Sequence, residues 1–164
     1  MPSGGELWAT DAGTRDDVAA QWEQILSATY VPWVVAIPEL PRPDVFQGWV
    51  RRWWMDDIVM ADSGCGPCSG RRASHQLANT EGEFVYAIVG QKGAMTVSQR
   101  DTVATLTPGD VAAFDSLQRN QFIVPESLSV RGMVIPRAAL DEVGGWSLMP
   151  DGVVLDPTAP QYGC

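Results

Sequence analysis

The chain has 164 residues, 45% of them hydrophobic and 19% charged, a composition that fits one globular domain with a sizeable core. A formal net charge of −9 and a pI near 4.4 exclude a nucleic-acid surface of its own, because phosphate backbones repel it and no basic run exceeds two residues. The same lack of a basic face excludes a peripheral membrane helix, and the longest apolar stretch, 31–38, is broken by proline and too short to cross a bilayer.

The N-terminal MPSGGELWATDAG lacks the basic and apolar regions of a signal peptide, so a cytoplasmic location with no membrane contact is expected. There the three cysteines stay reduced. Residues 1–13 read as a flexible, glycine-flanked arm, whose Trp8 would either close over the mouth of the domain or remain a surface tryptophan. Residues 14–28 read as the one long helix. Thr14 is its N-cap, Asp16 and Asp17 complement the dipole of its first turn, and Val18, Trp22, Ile25 and Leu26 form one apolar stripe. Four prolines, at 32, 38, 41 and 43, make 31–45 extended coil or an edge strand.

From residue 46 onward the pattern is β. Strands are expected at 46–54, 57–63, 71–76, 83–89, 94–99, 102–106, 111–114, 121–124 and 129–135. Thr107-Pro108-Gly109-Asp110 has proline and glycine where a type II turn needs them. Pro136 then opens a short helix over 136–143. Many short strands with turn chemistry between them imply a sandwich or barrel, not a βαβ fold.

Cys65-Gly66-Pro67-Cys68 matches the tetrapeptide of thioredoxin active sites. That chemistry needs a thiolate at a helix N-terminus, and Ser69-Gly70-Arg71-Arg72 does not begin an amphipathic helix. The motif reads as a Gly-Pro turn carrying two cysteines. A thiol or zinc sensor is the alternative, with Cys65, Cys68, His75 and Cys164 as the available soft ligands.

The order of features over 16–150 resembles the N-terminal domain of AraC-type transcription regulators. It is carried by the helix at 16–26, the strands at 46–63, Arg71-Arg72, the strand end from Tyr86 to Gly90, the hairpin at 94–106, Leu106-Thr107-Pro108-Gly109-Asp110, and the transition Val134-Ile135-Pro136-Arg137. The resemblance implies a mainly β, cupin-like antiparallel β-barrel or jelly roll with an N-terminal helix and a short C-terminal helix. It implies an arm over 1–13, an effector-binding and dimerisation domain over 14–150, and a linker over 151–164 toward a separate DNA-binding domain. The chain therefore reads as part of a longer homodimeric regulator that touches DNA only through that other domain.

One histidine, His75, cannot supply the several that a cupin metalloenzyme uses, and no serine sits in a nucleophile elbow. No catalytic residue, metal or cofactor is expected. A small effector, anionic or aromatic, is the expected partner. In the strand Trp49-Val50-Arg51-Arg52-Trp53-Trp54, alternation sends one arginine inward whichever face is buried, unless a bulge intervenes. A buried guanidinium needs a carboxylate, a ligand anion or an aromatic face. Trp49, Arg51, Trp53 and Arg72 are the expected ligand residues on this argument, with Phe84, Tyr86, Met95 and Phe114 from the later strands.

Overall fold

A computed structural model describes residues 5–39, 46–80, 82–99, 101–144 and 154–155. Helix α1 (Arg15–Thr29) begins with a capping box: Thr14 Oγ1 accepts the Asp17 N–H at 3.2 Å, and Asp17 Oδ2 accepts the Thr14 N–H at 3.3 Å. Its buried residues include the whole expected stripe, Val18, Trp22, Ile25 and Leu26.

The strands form two antiparallel sheets. The first holds seven strands in the order β1 (Glu6–Ala9), β3 (Gly48–Met55), β4 (Ile58–Cys65), β11 (Leu128–Pro136), β6 (Phe84–Gly93), β9 (Val111–Asp115) and β12 (Val154–Leu155). The second holds five, β2 (Val34–Ala36), β5 (Cys68–Arg72), β10 (Asn120–Val124), β7 (Met95–Gln99) and β8 (Thr102–Leu106). The inner faces of both sheets and the stripe of α1 close on one core. The expected mainly β, cupin-like architecture is thus present, as a two-sheet shell and not a closed ring of strands. Helix α3 (Arg137–Glu142) follows β11, with Pro136 at its N-cap.

Turn chemistry sets the corners. Asp110 N–H bonds the Thr107 carbonyl at 3.0 Å, and Gly109 has φ +94°, as a type II turn requires. Asp56 and Asp57 alone separate β3 from β4, and Asp56 has φ +54°, a left-handed conformation that aspartate tolerates better than most residues. Gly48 lets α1 approach β3, since a Cβ there would meet the Trp22 ring at 2.6 Å.

Three readings of local structure change. Residues 6–9, inside the expected arm, pair with 49–52 as an edge strand. The strand expected over 71–76 stops at Arg72, and helix α2 (Ser74–Ala78) takes its second half, with Gln76 Oε1 accepting the Ala73 N–H at 3.0 Å. On β3 the inward phase is Gly48, Val50 and Arg52, so Trp49, Arg51 and Trp53 share the outer face. Residues 40–45 of the expected 31–45 segment, residues 145–150 at the end of the expected domain over 14–150, and most of the expected linker over 151–164 lie outside the described residues.

Candidate functional site

An apolar cavity of about 70 Å³ lies between the two sheets and α1. α1 contributes Trp22 and Leu26, the chain leaving it contributes Tyr30 and Trp33, and the sheets contribute Tyr86, Phe114, Phe122 and Met95. Tyr86 and Phe114 are directly paired across β6 and β9, and their rings stack at 4.9 Å with 14° between planes. Trp33 meets Phe122 edge-on at 5.1 Å and Tyr86 edge-on at 6.2 Å. Such offset and T-shaped contacts hold aromatic walls in fixed orientations.

One corner of the cavity is polar. Tyr30 Oη and Ser63 Oγ lie 2.8 Å apart in a hydrogen bond. Burial pushes the Tyr30 phenol up to about 12, outweighing the opposing bond to Ser63, so the hydroxyl stays protonated at neutral pH. Cys65 also faces this corner, with its sulfur 3.9 Å from that of Cys68. Cys68, and then burial, push the Cys65 thiol far above its ordinary range. The Cys65 thiol draws Cys68 below that range, burial opposes this, and the Trp22 indole N–H adds to it. Cys65 ends β4, Gly66 and Pro67 turn, and Cys68 starts β5, so the thioredoxin-like tetrapeptide is a turn between strands with no helix at either cysteine.

Of the expected ligand residues, Tyr86, Met95 and Phe114 line the cavity. Phe84 packs against the core and against Gly82 without lining it. Trp49, Arg51 and Trp53 are on the wrong face, because the alternation of β3 turns Val50 and Arg52 inward in their place. Arg52 is the arginine that the parity argument required. It donates to the Ala28 carbonyl and to Glu6, both at 2.8 Å, and sits 4.7 Å from the Trp8 ring and 4.9 Å from the Trp54 ring. Trp8 therefore covers Arg52 and does not line the cavity.

Arg72 is 1% exposed. Its Nε, Nη1 and Nη2 donate to the Pro32 carbonyl, the Ser116 carbonyl and Thr80 Oγ1 at 2.9, 2.7 and 2.6 Å. The alternative metal set is not assembled: His75 is exposed on α2 and contacts Asn79, and among the described residues no three His, Cys, Asp or Glu side chains could share an ion. Cys164 lies outside the described residues.

Trp22, Leu26, Tyr30, Trp33 and Phe122 are wall residues that sequence reasoning missed as such. The stripe on α1 signalled burial, but burial alone does not separate a filled core position from a cavity wall.

The sequence profile of the AraC-binding-like domain family matches residues 22–161. No curated protein matches the chain by sequence. Among solved structures, the AraC-like transcriptional activator CuxR superposes with a TM-score of 0.75 at 13% identity, over 92% of this chain and 55% of that one. The chain thus spans about half the length of that activator. Ectoine synthase from P. lautus gives a TM-score of 0.43 at 12% identity, over 71% of this chain and 82% of that one. The Clostridium difficile EutQ protein gives 0.44 at 7%, over 57% and 65%.

Proposed function

The chain belongs to the AraC-binding-like domain family, and we propose that it is the ligand-sensing part of an AraC-type transcription regulator, binding a small effector and controlling a separate DNA-binding domain. The observation that carries this reading is the aromatic cavity, whose walls come from both sheets and from α1 at once. A ligand there touches every layer of the fold, so its binding energy can favour one placement of α1 over another. That differential affinity is the only means by which occupancy can be transmitted. The role is binding and release, without turnover.

The cavity also defines what it accepts. Its walls are aromatic and aliphatic, and Tyr30, Ser63 and Cys65 supply one polar corner. At about 70 Å³ it is far smaller than the roughly 300–1,000 Å³ of ordinary ligand clefts, so an effector larger than a few atoms must spread the walls. A single flat ring suits such a slot.

A panel of small aromatic and aliphatic compounds, followed by melting temperature and by tryptophan fluorescence, tests the reading. Trp22 and Trp33 are wall residues and report directly. Aromatic compounds in excess should raise stability by about 2–4 kcal/mol at 100 to 1,000 times their dissociation constant. Val130→Phe, which fills the slot from β11, should abolish the shift while the protein remains folded. A panel with no binder would leave a filled dimerisation module in place of a sensor.

The thiol pair supports a second reading, a redox sensor. A peroxide would take two electrons from Cys65 and Cys68, joining the sulfurs as a disulfide and leaving as two waters. Full recovery of both thiols after peroxide treatment would remove it.

A further inference from the structure

Beside the aromatic cavity lies a row of buried polar side chains that the other described residues do not fully satisfy. β5, β10 and β7 are neighbours, and their register sets Arg72 opposite Asn120 and Asn120 opposite Gln99. The three share the inward phase of their strands and are 1%, 5% and 1% exposed. Phe122, two residues from Asn120 on the same face, lines the cavity, which places the row one pleat repeat, about 7 Å, along the sheet from that wall. Tyr86 reaches the row from the opposite sheet, and Arg72 and Asn120 act directly on its phenol, whose proton burial holds well above the ordinary range.

Among the described residues both polar atoms of the Gln99 carboxamide lack a hydrogen-bond partner, and Asn120 Oδ1 and Tyr86 Oη, although near enough to Arg72 and to each other to interact, make no well-formed hydrogen bond. Buried polar groups are rarely left so, and a cluster of them marks a place where something else binds. Arg72 sharpens the point. Its three hydrogen bonds all go to neutral acceptors, which leaves one N–H on each terminal nitrogen. Among the described residues no carboxylate lies within ion-pair distance of it: Asp115 acts on it only through its field, and Asp115 Oδ1 accepts the Leu117 N–H. Among the described residues, then, Arg72 is a buried cation without an anion, an arrangement proteins avoid.

We propose that this row is a head-group subsite of the effector pocket, and that it takes a carboxylate carried on a flat apolar ring. The inference rests on the effector reading above and adds the chemistry of the polar end. The two remaining Arg72 N–H groups and Gln99 Nε2 are donors for the carboxylate oxygens, and Asn120 Oδ1 is an acceptor for the Tyr86 hydroxyl. The Gln99 carboxamide alone would suit an amide equally well, since it offers one donor and one acceptor. The uncompensated charge of Arg72 decides for the anion. Outside the row, Arg71 and Arg119 stand with Asp101 around an open depression that includes Arg72 and Asn120, a locally basic rim on an acidic chain.

The test uses three probes with one ring and three heads: benzoate, benzamide and toluene, titrated by tryptophan fluorescence and melting temperature. Benzoate should bind at least about tenfold tighter than the other two. Gln99→Leu and Tyr86→Phe should each collapse the benzoate-to-toluene ratio to below about threefold, and Gln99→Leu should melt at or above the temperature of the unsubstituted protein, because it removes an unsatisfied group. Equal affinity for all three probes, or a preference for benzamide, would overturn the carboxylate subsite while leaving the aromatic cavity a ligand site. A lower melting temperature for Gln99→Leu with the benzoate preference intact would overturn it too. If none of the three binds, the effector reading itself falls.

Discussion

At the scale of single residues, the fold depends on contacts that allow no extra atom. Gly48 is the sharpest case: alanine there would place its Cβ 2.6 Å from Trp22, itself 2% exposed. Gly48→Ala should cost about 1–3 kcal/mol, as overpacking does, and the urea midpoint measures it. Tyr30 makes a prediction of a different kind. Its folded phenol is raised from 10.0 to about 12, so the folded state holds the proton more tightly than the unfolded chain does. The resulting stabilisation is complete below pH 10 and is lost as pH climbs through 12. Over that window stability should fall by up to about 1.4 kcal/mol per pH unit, and Tyr30→Phe should flatten part of the slope. Urea titrations at the two ends of the window, with tyrosinate absorbance as the companion signal, check this. Equal slopes for the two proteins would mean that Tyr30 titrates as an ordinary exposed phenol.

At the scale of elements, α1 shows what sequence can reveal. A capping residue, two acidic residues in the first turn and a stripe at helical spacing each pointed to the same segment, and the observed helix starts one residue after Thr14. Thr14→Ala removes the side-chain acceptor for Asp17 N–H and should cost about 1 kcal/mol, read by thermal or urea unfolding. The β-hairpins were equally legible, since their turns are local chemistry. The face of β3 was not. Alternation shows which side chains travel together, but which set turns inward is decided by partners far away, here Trp22 over Gly48 and Ala61 and Ser63 on β4. β1 was invisible for a related reason: ELWA has no strand signature of its own and is held by what it meets. Arg52 clamps it, through Glu6 at 2.8 Å and through the ring of Trp8. Arg52→Ala should therefore speed amide exchange over residues 6–9 and leave the rates in β6, which Arg52 does not touch, unchanged. Exchange that stays slow at β1 would show that the ladder to β3 suffices without the clamp.

At the scale of the whole molecule, two opposing features govern how an effector would enter. The interior offers a buried cation, yet the chain carries a net charge of −9, which repels an anion at long range. The cavity of about 70 Å³ is also too small for a ring with a head group as it stands, so entry must wait for the walls to part. These features separate in stopped-flow fluorescence. Because opening precedes binding, the observed rate should level off at high ligand concentration, at the same limit for benzoate and toluene. Below that limit, added salt should accelerate benzoate and leave toluene unchanged, since screening weakens the repulsion felt only by the anion. A rate rising linearly with concentration would mean that the walls are already apart in solution. Salt that slowed benzoate would mean that the basic rim at Arg71 and Arg119, and not the net charge, governs its approach.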